Sequence, residues 1–248
     1  MIRALLLDLD DTLLGNNTRT FMDHYFALLS EYAGSILDKS TFLPSLIQST
    51  QATIKNTDPA LTNAAVFWAN FEALTGGRRD ELEPFFRRFY ETEFPRLRAT
   101  TTYRPAAAEL VRSAFDHGLM VVIATNPLFP QTAIEQRLDW AGVPVNEFPY
   151  ALVTSYEIMH ATKPQLAYYH EILAAVNCSP EEAVMAGDDW KNDIAPAAAV
   201  GIMTYWVTNG GSEPPEPAMT CGIGPLEDLM HLVAAGEIDR LAHPSSRQ

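Results

Sequence analysis

Residues 1–14 read MIRALLLDLDDTLL. Ala4 to Leu7 is a short, unbroken apolar run, and it ends in three carboxylates, Asp8, Asp10 and Asp11, within four positions. Such a run predicts a buried strand over residues 2–8 of a parallel sheet covered on both faces, with Asp8 at its carboxyl end. Carboxylates this close repel and raise one another's pKa unless a cation neutralises them. The stretch thus joins a core strand to a demand for positive charge.

From Gly15 to about Thr102 the pattern is helical. Phe21, Tyr25, Leu28, Leu29 and Tyr32 recur at helical spacing, as do Phe85, Phe86, Phe89 and Tyr90, and no strand is expected in this block. The same periodicity reads the aromatic cluster from Phe85 to Phe94, with Trp68 and Phe71, as helical core in preference to a substrate pocket. After Tyr103 strands and helices alternate. PAAAELVRSAFDHG (105–118) opens on a proline suited to a first helical turn and stops at Gly118, and LMVVIAT (119–125) is a buried strand. PQTAIEQRLDWAG (130–142) repeats the device with Gly142 as its stop. YALVT (150–154) is a strand, KPQLAYYHEILAAV (163–176) a helix, and SPEEAVMAGDD (179–189) leads into another strand. NDIAPAAAVG (192–201) gives a helix, IMTYWV (202–207) a fifth strand, and GGSEPPEPAMT (210–220) a loop. PLEDLMHLVAAGEI (225–238) has the apolar spacing of a final helix packed on the core. The alternation predicts an α/β fold with a doubly wound, Rossmann-like parallel sheet. Residues 15–102 then form an inserted α-helical cap, and 1–14 plus 103–248 the core.

Composition narrows the function classes. The 248 residues carry a formal net charge of −14, which argues against binding nucleic acid or an anionic membrane. A small anionic substrate stays open if a metal or a lysine sets the local field. Cys178 and Cys221 are too few for a disulfide framework and point to a reducing cytoplasm. Asp8 interrupts the first apolar run too early for a secretory signal, and no long apolar span follows, so a soluble protein is expected.

Ligand sites of open parallel sheets form at the carboxyl ends of the strands. The polar residues placed there are Asp8 and Asp10, Thr125 and Asn126, Lys163, and Asp188, Asp189 and Asp193. Clustered carboxylates without His or Cys beside them in sequence suit Mg2+ and disfavour zinc. An EF-hand is rejected because counting from Asp8 puts Leu13 where that loop needs glycine. A metal flanked by a lysine and a hydroxyl can receive a phosphoryl group, with one carboxylate as nucleophile. Singly, each residue has a plainer reading: Thr125 as a helix cap, Asn126 as a turn residue, Lys163 as a surface lysine, the acidic run as a solvated helix start.

DLDDT (8–12), ATN (124–126), TKP (162–164) and GDDWKND (187–193) occur in order, each at a predicted strand end or the loop beside it. Together they resemble the four motifs of the haloacid dehalogenase-like hydrolases, over residues 1–14 and about 103–208. The resemblance implies that Asp8 is the nucleophile that becomes an aspartyl phosphate. It implies that Asp10 is the general acid and base and also binds the metal through its backbone carbonyl. Thr125 and the Asn126 N–H match the phosphate-oxygen donors, and Lys163 the lysine that neutralises nucleophile and phosphoryl group. Asp188 matches a metal ligand and Asp193 the carboxylate supporting metal or lysine, while Asp189 stands where relatives often have serine.

Dehalogenases of this superfamily lack the second aspartate, since expelling halide needs no proton, so Asp10 favours phosphoryl transfer. The expected protein is a Mg2+-dependent phosphatase of a small phosphorylated metabolite, with a helical cap that contacts the leaving group. A phosphotransferase or mutase using the same aspartyl phosphate is the alternative; a 2-haloacid dehalogenase or a non-catalytic binding protein ranks below it.

Overall fold

A computed structural model describes residues 1–208 and 213–242. Ala4–Leu7 forms β1, and Leu14–Asn16 forms β2. Four helices follow: α1 (Thr18–Ala33), α2 (Lys39–Lys55), α3 (Asn63–Thr75) and α4 (Arg79–Thr92). β3 (Thr101–Tyr103) leads into α5 (Pro105–Asp116), β4 (Met120–Ile123), α6 (Gln131–Trp140) and β5 (Leu152–Val153). The chain continues through α7 (Leu166–Ala175), β6 (Ala183–Gly187), α8 (Ala195–Val200), β7 (Met203–Val207), β8 (Gly222–Gly224) and α9 (Leu226–Ala234).

Among the described residues, six strands form one sheet in the order β5-β4-β1-β6-β7-β8, with every pair parallel. This is the predicted Rossmann-like α/β core. β1 is its centre, and both faces of the strand are covered: Leu5 and Leu7 join one apolar cluster, Ala4 and Leu6 the other. Burial on both sides is why the run lacks a polar alternation. In register, Leu7 lies beside Ile123 of β4 and Ala186 of β6, so the chain leaves all three strands at one edge of the sheet. That edge collects Asp8, Thr125 and Asp188.

The structure departs from the sequence reading at the limits of the helical block. β2 and β3 pair antiparallel, Gly15 opposite Thr102, as a two-stranded ribbon where the chain leaves and re-enters the core. LGN and TTY are too short to show a strand period; long-range pairing makes them strands. β8 was likewise not expected. Its sequence, GIG, has almost no side chain to read, and it adds to the sheet edge through β7. Residues 210–212 of the expected glycine- and proline-rich loop lie outside the described residues. The expected helix from Asn192 begins instead at Ala195, after a wide turn over Trp190–Ile194. α9 packs against the sheet-flanking α5 and buries Leu226, Leu229 and Val233, as its apolar spacing predicts.

The helical block is docked on the loops beyond the sheet edge. Fully buried Asn63 donates through Nδ2 to the carbonyls of Pro127 (3.2 Å) and Ala161 (3.1 Å). The backbone N–H groups of Asn63 and Ala64, which have no acceptor inside the first turn of α3, donate to Met159 and Tyr156 at 2.8 Å. Among the described residues no helix is long and apolar enough to cross a membrane.

Candidate active site

Asp8, Lys163 and Asp193 meet at the carboxyl edge of the sheet. Lys163 Nζ donates to Asp8 Oδ1 at 2.7 Å and to Asp193 Oδ1 at 2.5 Å. All three side chains are buried, Lys163 only 3% exposed. Burial alone would lower the Lys163 pKa, but the charges of Asp193 and Asp8 outweigh it and hold the ammonium well above its ordinary value. Burial pushes the Asp8 carboxyl up; Lys163 opposes this, and Asp193 and Asp188 add to it. Burial, followed by the charges of Asp193 and Asp11, raises Asp188 to about 7. One ammonium does not balance three carboxylates.

Local backbone chemistry places these groups. Asp189 caps the wide turn, accepting from the N–H groups of Lys191 (2.8 Å) and Asn192 (3.1 Å). That explains the residue whose role the sequence left open. The turn returns Asp193 toward β6, where its Oδ2 accepts from Asp189 N at 3.0 Å. A Cβ on Gly187 would lie 2.2 Å from Asp193 Oδ2, so only glycine lets the carboxylate approach this close. Thr12 Oγ1 accepts from Asp188 N at 3.1 Å and donates to Asp188 Oδ1 at 3.2 Å. The backbone carbonyl of Thr125 is fixed by the hydroxyls of Thr154 (2.7 Å) and Tyr168 (2.8 Å). Among the described residues the Asn126 N–H has no protein acceptor.

Asp10 stands apart. Its Oδ1 accepts from Asn16 Nδ2 at 2.8 Å, and its Oδ2 pairs with Arg137 of α6. Arg137 is 1% exposed, donates from Nε to Ala133 O and lies 4.7 Å from the centre of the Phe129 ring. Neither Asn16 nor Arg137 was found from sequence. Arg137 sits among the buried apolar positions of an amphipathic helix, and a charged residue on that face is the signal that could have marked it. His160, three residues before Lys163, hydrogen-bonds Glu171 at 2.7 Å.

One carboxylate oxygen each from Asp8, Asp188 and Asp193 lies within 4.8 Å of the others, an all-oxygen set that can hold a hard divalent cation. Burial raises the pKa of all three carboxyls, and the charges of neighbouring carboxylates add to it.

A doubly wound parallel sheet with a carboxylate and lysine cluster at the carboxyl edge of its central strand defines a class of α/β enzymes. Residues 2–201 match the model of the haloacid dehalogenase-like hydrolases, and the chain belongs to that family of hydrolases. It is similar to a phosphoserine phosphatase of Thermus thermophilus, 26% identical over 92% of this chain and 98% of that protein. Its fold resembles a 2-haloacid dehalogenase from Pseudomonas syringae, with TM-score 0.60, 20% identity and coverage of 95% of this chain and 100% of the other. It also resembles a HAD phosphatase from Thermococcus onnurineus, with TM-score 0.56, 17% identity and coverage of 94% and 98%.

Proposed function

We propose that the protein is a Mg2+-dependent phosphatase that hydrolyses a small phosphorylated substrate through an aspartyl phosphate on Asp8. The observation that carries this reading is the Asp8–Lys163–Asp193 cluster with Asp10 two residues along the chain, its carboxylate held outside the cluster by Arg137 and Asn16. An Asp8 oxygen attacks phosphorus, the ester P–O bond breaks, and Asp10 gives its proton to the departing oxygen. Water then attacks the phosphorus and yields a proton to Asp10; the acyl phosphate bond breaks and Asp8 is restored. Lys163 balances charge on Asp8 and on the phosphoryl oxygens, and Thr125 with the Asn126 N–H binds those oxygens. Asp8, Asp188, Asp193 and the Asp10 carbonyl would hold Mg2+, which when bound supplies positive charge to the phosphoryl oxygens. Residues 15–102 are assigned as the cap, and 1–14 with 103–248 as the core, with the β2–β3 ribbon marking the two crossings.

The relative named a phosphoserine phosphatase supports phosphomonoester chemistry. Asp10 weighs against the dehalogenase alternative, in which there is no leaving oxygen to protonate. The test is phosphate release from a panel of sugar, nucleotide, short-chain acid and aryl phosphates with and without Mg2+. Release should require the metal and disappear in Asp8→Asn. Undiminished release by Asp8→Asn would overturn the assignment, and a phosphorylated acceptor formed in place of free phosphate when an alcohol is added would convert it to a phosphotransferase.

A further inference from the structure

The helical block encloses a cavity of about 270 Å3 against the core loops at 128–132 and 156–157. Its floor is Leu29, Phe42, Phe71 and Phe86, all buried, so the aromatic residues read from sequence as helical core also wall an open space. An apolar cavity of about 150 Å3 takes up one benzene ring, so this one has room for a bicyclic ring or a six-carbon chain.

The cavity offers little to a polar guest. Tyr25 and Tyr90 hydrogen-bond each other at 2.8 Å, and Trp68 Nε1 donates to Tyr156 at 3.3 Å. Thr50 donates to Leu46 O within its own helix. Both carboxylates on the wall are engaged: Glu83 pairs with Arg79 at 2.8 Å, and Glu157 accepts from Gln131 N at 3.0 Å. Among the described residues this leaves Thr132 and the exposed Arg87 as the uncommitted polar side chains of the wall.

The cavity adjoins the candidate site through the segment that follows Thr125 and Asn126. Its wall begins at Leu128, whose N–H bonds the carbonyl of Asn126 at 2.8 Å. Phe129 faces the cavity with its ring, and Arg137, the partner of Asp10, packs on that ring. Asp10 is thus separated from the Phe129 wall of the cavity by one side chain, that of Arg137.

We infer that the cavity seats the alcohol part of the substrate and that this part is apolar: the enzyme takes phosphate monoesters of aromatic or medium-chain alkyl alcohols over a zwitterionic ester such as phosphoserine. The inference rests on the phosphatase reading and narrows its substrate.

The test is a series of n-alkyl phosphates from methyl to hexyl, with phenyl and 1-naphthyl phosphate and O-phosphoserine, and kcat/KM as the readout. Reactivity of the ester bond hardly changes along the alkyl series, so a slope reports burial alone. The expected rise is about three- to fourfold per methylene until the chain fills the cavity, with phosphoserine at or below the methyl ester. Leu46→Trp, which fills the space, should flatten that slope. Turnover with a flat series, or with phosphoserine preferred, overturns the inference and leaves the phosphatase reading standing. Absence of turnover on every ester counts against the phosphatase reading. Calorimetric binding of hexylphosphonate against methylphosphonate then decides the cavity: at least tenfold tighter binding of the hexyl compound supports it, and equal binding overturns it.

Discussion

Arg137 and Asp10 form an ion pair across 127 residues of sequence, joining the helix after β4 to the loop after β1. The pair is asymmetric, since the guanidinium is 1% exposed while the carboxylate is 30% exposed. Asp10 is therefore held from its buried side and open on the other. Arg137 is bound in turn to Ala133 and Phe129, so its position is fixed by α6 and the following contacts of the core.

If Arg137 positions Asp10 for proton donation, its loss should matter in proportion to the need for that proton. Arg137→Met should lower kcat/KM by about 10²-fold for alkyl phosphates, whose leaving oxygen needs protonation, and by far less for dinitrophenyl phosphate. Arg137→Lys should recover part of the alkyl activity. An equal loss across leaving groups would show that Arg137 serves only the packing of α6.

Lys163 joins two buried carboxylates, and removing it leaves both without compensation. Lys163→Met should abolish turnover and cost about 3–5 kcal/mol of stability near neutral pH, as measured by urea unfolding. The folded-state pKa values of Asp8 and Asp193 are raised, so the penalty belongs to the ionised forms. It should therefore shrink as pH falls and the carboxyls take protons. A pH-independent penalty would mean that lost packing of the lysine stem, and not charge, dominates.

The parts of this fold legible in sequence are those whose pattern is local. Ala4–Leu7 is apolar at every position because both sides of β1 are covered, and Gly118 and Gly142 follow helices that stop within two residues of them. That Asp8, Lys163, Asp188 and Asp193 come together was legible by motif, because each lies at or just after the carboxyl end of a core strand or in the loop beside it. Arg137, Asn16 and the β2–β3 ribbon were not, since each takes its role from a partner distant in sequence or set by the fold. The cavity was hidden for a further reason. Helical periodicity tells which face of α3 and α4 is apolar, but it does not tell whether the opposing faces meet.

Gly187 is a strand residue whose side chain would occupy the space of the Asp193 carboxylate. Gly187→Ala should displace Asp193 from Lys163, lowering stability by about 1–3 kcal/mol as overpacking does. Turnover should fall as well, because Asp193 is both a partner of Lys163 and one of the three carboxylates that could hold a cation. Thermal unfolding and kcat measured on the same variant decide this. Full activity in Gly187→Ala would mean that the backbone of β6 yields and the close approach is not required.

If Asp188 is a cation ligand, its charge state should set the pH dependence of cation binding. Its carboxyl is raised to about 7 in the folded protein without a cation, against about 3.9 for an unperturbed aspartate. A raised folded-state pKa in an acid means that the folded chain holds a proton the unfolded chain has lost, so the metal-free protein loses this contribution as pH rises from about 4 to 7. Mg2+ must displace that proton, and its affinity should rise by up to about tenfold per pH unit below 7 and level off above. The Mg2+-induced gain in Tm should accordingly be small at pH 5 and large at pH 8. Asp188→Asn removes the proton and the ligand together, so it should weaken Mg2+ binding at pH 8 and lose most of the pH dependence. Calorimetric titration of Mg2+ at pH 5.5, 6.5 and 8 measures both effects. Equal affinity at the three values in the unaltered protein would place the cation elsewhere.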